Sequence, residues 1–232
     1  MTDGLWVYLA TSPLLWLTST LVVWLAATGL AGLSPGNPLL NPILFSIAAI
    51  ATVLWVTGID YASYFEGAQF IHFLLGPATV ALGIPLYEKL SLVKNNLLPL
   101  LAALVVGSLT AVGSTVFFSE LFGLTPEVVA SLAPKSTTAA VAMAISSGLA
   151  GDPALTAAVV VLTGICGAIV VTPLMNAMRI KDYSARGFAV GLASHGIGTA
   201  RAYSVDPVAG LFSGIAMGLN AVLTSLIVHL FL

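Results

Sequence analysis

Charge is the scarcest commodity in this 232-residue chain, in which only 7% of residues are Asp, Glu, Lys or Arg against roughly 25% in an ordinary soluble domain. That scarcity excludes most soluble folds. Seven Lys and Arg against nine Asp and Glu leave a formal charge of −2. This is too few cations for a nucleic-acid surface, whose affinity comes from neutralising many phosphates. A single cysteine, Cys166 in the run VVVLTGICGAIVV, excludes an internal disulfide and any Cys-rich metal site, and its apolar surroundings predict a small core residue. No HExxH, CxxC, P-loop or Ser-His-Asp spacing is present, and GLASHG at 191–196 is not a G-x-S-x-G elbow. The expectation is a protein that is not an enzyme and has neither catalytic residues, metal nor cofactor.

What the chain has in abundance is apolar sequence, 59% of its residues. A spanning helix takes about 20 of them. The N-terminal stretch MTDGLWVYLATSPLLWLTSTLVVWLAATGL carries Asp3 where a secretory signal would be basic, so it is read as a retained span. Further runs follow at about 39–57, 67–87, 97–118, 127–149, 154–178, 186–200 and 208–231. The expected fold is an all-α polytopic membrane protein of about seven or eight segments in one integral membrane domain, 1–232. Residues 1–66 form N-terminal scaffold spans and 67–232 a core. Trp6 and Trp55, near the ends of runs, are expected at the interface. Segments 39–57, 154–178 and 208–231 lack Asp, Glu, Lys and Arg, so they can face lipid and are read as scaffold.

Two segments are interrupted: 127–149 at Ala133-Pro134-Lys135 and 186–203 at Ser194-His195-Gly196-Ile197-Gly198. Broken helices are tolerated at membrane depth where they are buried in protein or line a watery cavity. An ungapped offset of 57 residues aligns Leu75-Gly76-Pro77 with Leu132-Ala133-Pro134, Asn95 with Asp152 and Gly107 with Gly164, which suggests an internal repeat. Lys89 and Lys94 in loop 88–96, and Arg179, Lys181 and Arg186 in loop 179–186, place both loops in the cytoplasm by the positive-inside bias. Three simple crossings between them would put the loops on opposite sides. The parity is repaired if 127–149 enters and leaves on one side as a hairpin of two half-helices, and the repeat is then inverted.

Lys135 stands in SLAPKSTTAAVAMAIS without an acidic residue nearer in sequence than Glu127. Pro134 ends one segment and Ser136, Thr137 and Thr138 precede the next, a helix start whose hydroxyls cap N–H groups and whose dipole presents positive charge. An ammonium at a positive helix end makes an anion site; the alternative is a lysine that snorkels to the interface. In the second break Gly187, Gly191, Gly196 and Gly198 let backbones approach or the helix open, beside His195, Thr199 and Arg201. Arg201 can grip a carboxylate with two bonds. His195 is either a structural, hydrogen-bonded residue or part of that site. His72 and His229 are read as structural, and Asp60 and Glu66 as caps or solvated ends.

The stretches GPATVALGIPLYEK (76–89), SLAPKSTTAAVAMAIS (131–146) and NAMRIKDYSARGFAVGLASHGIGTARA (176–202) resemble the LrgB/CidB family of bacterial inner-membrane proteins, related to the plastid glycolate/glycerate translocators. The resemblance implies a large membrane subunit accompanied by a small LrgA/CidA-like partner. Family members are described both as holin-like or antiholin-like factors in murein hydrolase control and as carriers of small carboxylates. The expected function is therefore transport of a small monocarboxylate such as glycolate, glycerate or pyruvate. Its substrate-binding candidates are Lys135, Ser136, Thr137, Thr138, His195, Gly196, Gly198, Thr199 and Arg201. In this reading Lys135, Arg201 and backbone N–H groups hold the carboxylate near mid-membrane, Ser136, Thr137 and Thr199 read a hydroxyl or keto oxygen, and His195 carries a coupled proton. The alternatives are a holin-like pore component or lysis regulator, and a subunit that works only with its partner. The expected setting is the inner membrane, as a homo-oligomer surrounded by lipid.

Overall fold

The computed structural model describes residues 12–33, 42–74 and 97–232, together with positions 77, 80, 81, 84, 87 and 90–95. Trp6 and Glu88-Lys89 lie outside the described residues, as does most of the 76–89 stretch. The chain divides into two compact units, Met1–Val80 and Ala81–Leu232. Among the described residues every regular element is helical. Among the described residues four helices are long and apolar enough to cross a membrane: Pro13–Gly32, Leu97–Leu121, Pro153–Ala177 and Pro207–Leu230. The shorter Pro42–Thr57 and the two broken segments account for the remaining expected runs except 67–87, which is described only in part.

The first unit holds α1 (Pro13–Gly32), α2 (Pro42–Thr57) and α3 (Tyr61–Phe73). Asp60 starts α3 by accepting the Ala62 N–H at 3.0 Å, as expected of a cap. Helix α1 seats Trp16, which is 1% exposed, edge-on against Tyr64. Gly67 permits this, because a Cβ there would meet the Pro13 carbonyl. Trp55 is exposed.

The second unit comprises α4 (Leu90–Asn95), α5 (Leu97–Leu121), α6 (Pro126–Leu132), α7 (Ala139–Gly148), α8 (Pro153–Ala177), α9 (Tyr183–Val205) and α10 (Pro207–Ile227), closed by a 3-10 turn at Val228–Leu230. Asp-Pro pairs begin α8 and α10: Asp152 and Asp206 accept the N–H two residues on at 2.8 and 2.7 Å, and the prolines occupy positions whose N–H groups would otherwise be orphaned.

The first broken segment is a hairpin. Val129 and Ala133 on its inward arm, Ile145 on its return arm α7 and Leu149 just after it pack in one cluster with Val112 and Val116 of α5, Ile227 at the end of α10 and Val228 in the turn that follows. Ser136, between the arms, lies deeper, at the level of Ser108 and Asn220. Chain that goes in past Val129 and comes back at Leu149 has entered and left at the same end.

The second broken segment is a hairpin too, from the opposite end. Gly187 lies against Ala209 and Gly191 against Ser213, so the inward arm 183–193 runs alongside α10 in the same direction. The return arm 196–205 runs back, with Gly196 at Met217, Thr199 at Ser213 and Tyr203 at Gly210. The inward arm packs Phe188 and Leu192 on Leu100 and Leu104, in the first half of α5. Val171, late in α8, packs on Val190 and Ala202, whereas Thr156, early in α8, bonds the first hairpin. Helices α5 and α8 are therefore antiparallel.

These relations make an inverted repeat. Helices α5 and α8 each have 25 residues and each is followed by a hairpin. The register of 57 carries Pro126 onto Tyr183 and Gly148 onto Val205. Arg179, Lys181 and Arg186 stand at the base of the second hairpin, and Glu120, Glu127 and Asp152 at the base of the first. The reading of 208–231 as lipid-facing scaffold is overturned: α10 is the most enclosed of the four long helices, because both hairpins close on it.

Candidate functional site

Two half-helices begin where the hairpin tips meet, α7 at Ala139 and the return arm of α9 at Gly196. Both therefore direct their positive ends to the interior of the unit. The first tip is a run of tight turns, with Lys135 N–H bonded to Leu132 O and Thr137 N–H to Pro134 O, both at 3.0 Å. Pro134 enforces the break because it lacks an N–H. In the second tip, Ser194 (φ −130°, ψ 15°) and His195 (φ 42°, ψ −136°) leave helical geometry. Space for it comes from α8: a Cβ on Gly164 would strike His195 and Ile197, and one on Gly167 would strike Ser194.

Between the tips lies a cavity of about 510 Å³, within the usual range for small-molecule sites. Lys135 and Ser136 of the first tip line it, with Ser194 of the second and Thr163, Cys166 and Gly167 of α8. It continues along α8 past Val171 to Met175, towards the basic end of the unit. Lys135 is half-buried, and among the described residues no carboxylate acts on its ammonium. Such an ammonium, between two positive helix ends and with no counter-ion among the described residues, can attract an anion.

The structure brings only part of the expected set to this wall. Thr137 is fully buried and donates to Pro134 O at 3.0 Å. Thr138 takes the N-cap position of α7 without a side-chain cap bond, so the expected hydroxyl capping of this helix start does not occur through it. His195 places Nε2 2.8 Å from Val160 O; a carbonyl only accepts, so that nitrogen carries the proton. Thr199 donates to His195 O at 2.7 Å and shares a bond with Ser213 Oγ at 2.8 Å, which turns it towards α10. Gly196 faces Met217 and Gly198 presses on Val190 and Ser194. Arg201 lies in a much smaller pocket that Arg186 also lines and that adjoins the cavity at Val171, Met175 and Val190, and it bonds Ser204 at 3.3 Å. Lys135 and Arg201 thus line different cavities.

Sequence reasoning missed three residues here. Cys166 is exposed and on the cavity wall, not a core residue. Its position near the middle of α8, beside the break that Gly167 accommodates, has no signature in an apolar run. Ser194 was visible as part of the break but not as a wall residue. Asn220 is fully buried and joins both tips. It donates to Ser136 O at 3.2 Å and to Leu192 O at 3.1 Å. It accepts from Ser108 at 2.7 Å and from Thr224 at 3.1 Å. An uncharged amide in a run searched for charge was the signal that could have revealed it.

The profile of the LrgB-like family matches residues 20–232. The "Holin-like protein CidB" of Staphylococcus aureus is 34% identical over 215 residues, 93% of each chain. The CidB of Staphylococcus epidermidis is 34% identical over 192 residues, 83% of this chain and 84% of its own. The "Uncharacterized protein YxaC" of Bacillus subtilis is 35% identical over 188 residues, 81% and 82% of the two chains. No solved structure matches. With its apolar helices, two re-entrant hairpins and these relatives, the chain is a membrane protein that belongs to the LrgB-like family.

Proposed function

We propose that the protein carries small monocarboxylates of the glycolate, glycerate or pyruvate type, with the carboxylate seated on Lys135 where the hairpin tips meet. The observation that carries this reading is the half-buried Lys135 ammonium on the wall of the inter-tip cavity, flanked by the N-termini of α7 and of the return arm of α9. Ser136 and Ser194 on the same wall can address a hydroxyl or keto oxygen. Arg201 and Arg186, near the base of the second hairpin, add positive potential at the basic end and would draw anions towards the cavity. In this reading the basic end faces the cytoplasm, in keeping with the positive-inside bias, and the membrane is the inner one. His195 remains the candidate for a coupled proton, since its break position lies beside the wall residue Ser194.

In liposomes, purified protein takes up labelled glycolate or pyruvate with saturation, and Lys135→Ala abolishes uptake. Glycolate slows modification of Cys166 by a charged thiol reagent, because both occupy one cavity. Uptake unchanged in Lys135→Ala removes the ammonium from the site.

The names of the staphylococcal relatives favour a second reading, a holin-like pore component or regulator of lysis, acting with a small LrgA/CidA-like subunit or as a homo-oligomer. Non-saturating leakage of dyes of increasing size, with no competition by carboxylates, would decide for it.

A further inference from the structure

Asn220 sits on α10 at the one level where both hairpins end. Its amide spends every hydrogen-bonding capacity it has. The carbonyls of Ser136 and Leu192 can only accept, so the NH₂ must face them, and Oδ1 is left for the Ser108 and Thr224 hydroxyls. One carbonyl belongs to the first tip. The other lies two residues before the break of the second, where the inward arm of α9 ends its helical geometry. A helix interruption in a dry interior exposes carbonyls that water cannot reach, and each must find a donor. A single side chain, wholly enclosed, provides one to each tip.

We infer that Asn220 is a positioning residue that ties the two hairpin tips and α10 into one body and so closes the inner end of the Lys135 cavity. The backbone carbonyl it holds is that of Ser136, the residue after Lys135, and Leu192 lies two residues before the wall residue Ser194. Releasing the amide frees both tips at once. The cavity then opens past the tips towards the first-hairpin end as well as along α8 towards the basic end. The inference holds whichever solute passes, although it bears on the carboxylate reading through the seat of Lys135.

The test uses Cys166, the sole cysteine, as the gauge. Full-length protein in right-side-out and inside-out membrane vesicles is treated with a charged, impermeant methanethiosulfonate reagent, and the rates of Cys166 labelling from the two faces are compared. With the tips tied, labelling from one face exceeds the other by at least about tenfold, the ratio that one lost hydrogen bond to a buried carbonyl is enough to erase. In Asn220→Ala, and in the isosteric Asn220→Asp, which has at most one donor, the two rates converge to within about threefold. Thr156→Val, which removes bonds to Ser131 and Ser146 remote from the tips, lowers the melting temperature without moving the ratio. This separates positioning from general weakening. Should the Asn220 variants fail to fold, Ser108→Ala and Thr224→Val take their place, each loosening one bond to Oδ1, and a smaller convergence is expected. Equal rates in the wild type, or an unchanged ratio in the folded variants, overturns the inference. Glycolate protection of Cys166 in the wild type is scored separately, so the carboxylate reading can fail while this one stands.

Discussion

Among the described glycines of the second unit, Gly187 and Gly191 on the inward arm of α9 come closest to another backbone, that of α10, and Gly191→Ala tests the contact. A Cβ at Gly191 would stand 2.6 Å from the Ser213 carbonyl carbon and 2.7 Å from its Cα, with the carbonyl oxygen nearer still. All three are backbone atoms of a buried helix, so no side chain can rotate away. Alanine in a helix gains roughly 0.5–1 kcal/mol over glycine from backbone entropy. Forcing a methyl group into a packed contact costs typically about 1–3 kcal/mol, and rigid backbone on the far side places this contact at the upper end of that range. The net expectation is a loss of about 2 kcal/mol, taken up by the arm sliding off α10 and displacing Ser194 on the cavity wall. Gly218→Ala on α10 is the control: nothing lies within 4 Å of a Cβ there, so only the entropy gain remains. Detergent-solubilised variants are heated and the monodisperse fraction is followed by size-exclusion chromatography. Gly191→Ala should melt below the wild type and Gly218→Ala at or above it. If Gly191→Ala melts with the wild type, the close packing of the inward arm is refuted.

Thr156→Val leaves Ser146 Oγ and Ser131 O without the partner that sits 2.7 and 3.0 Å away, and thermal unfolding should show a loss of about 1–3 kcal/mol. At His195, with φ 42°, glycine relaxes the backbone whereas alanine keeps a strain of about 1–3 kcal/mol. His195→Gly should therefore retain a higher melting temperature than His195→Ala, and the reverse order would deny the strain. Asp206→Ala removes the acceptor of the Val208 and Ala209 N–H groups and should cost about 0.5–2 kcal/mol, read as faster amide exchange at the start of α10.

The sequence alone determined the class of molecule and the places where it is unusual. Apolar runs of spanning length, Pro134 and the Ser194–Gly198 cluster are local chemistry, and they fix helices and breaks wherever the chain folds. The 57-residue register, combined with the parity of Lys and Arg, even carried the inversion of the repeat, because charge bias records which end a helix presents. What faces what is a different matter. Helix α10 was read as scaffold because it lacks formal charge, but enclosure follows from the small surfaces of Gly187 and Gly191 on its neighbour, which no feature of α10 announces. Lys135 and Arg201 share a sign and a flanking break, yet a return arm of ten residues separates Arg201 from its tip by more than one helical turn, enough to give it another pocket. Cys166 and Asn220 are ordinary residues in apolar runs. Only the crossing of two hairpins on α10 makes one a wall of the cavity and the other the donor that both tips need, and such a crossing exists in three dimensions, not along the chain.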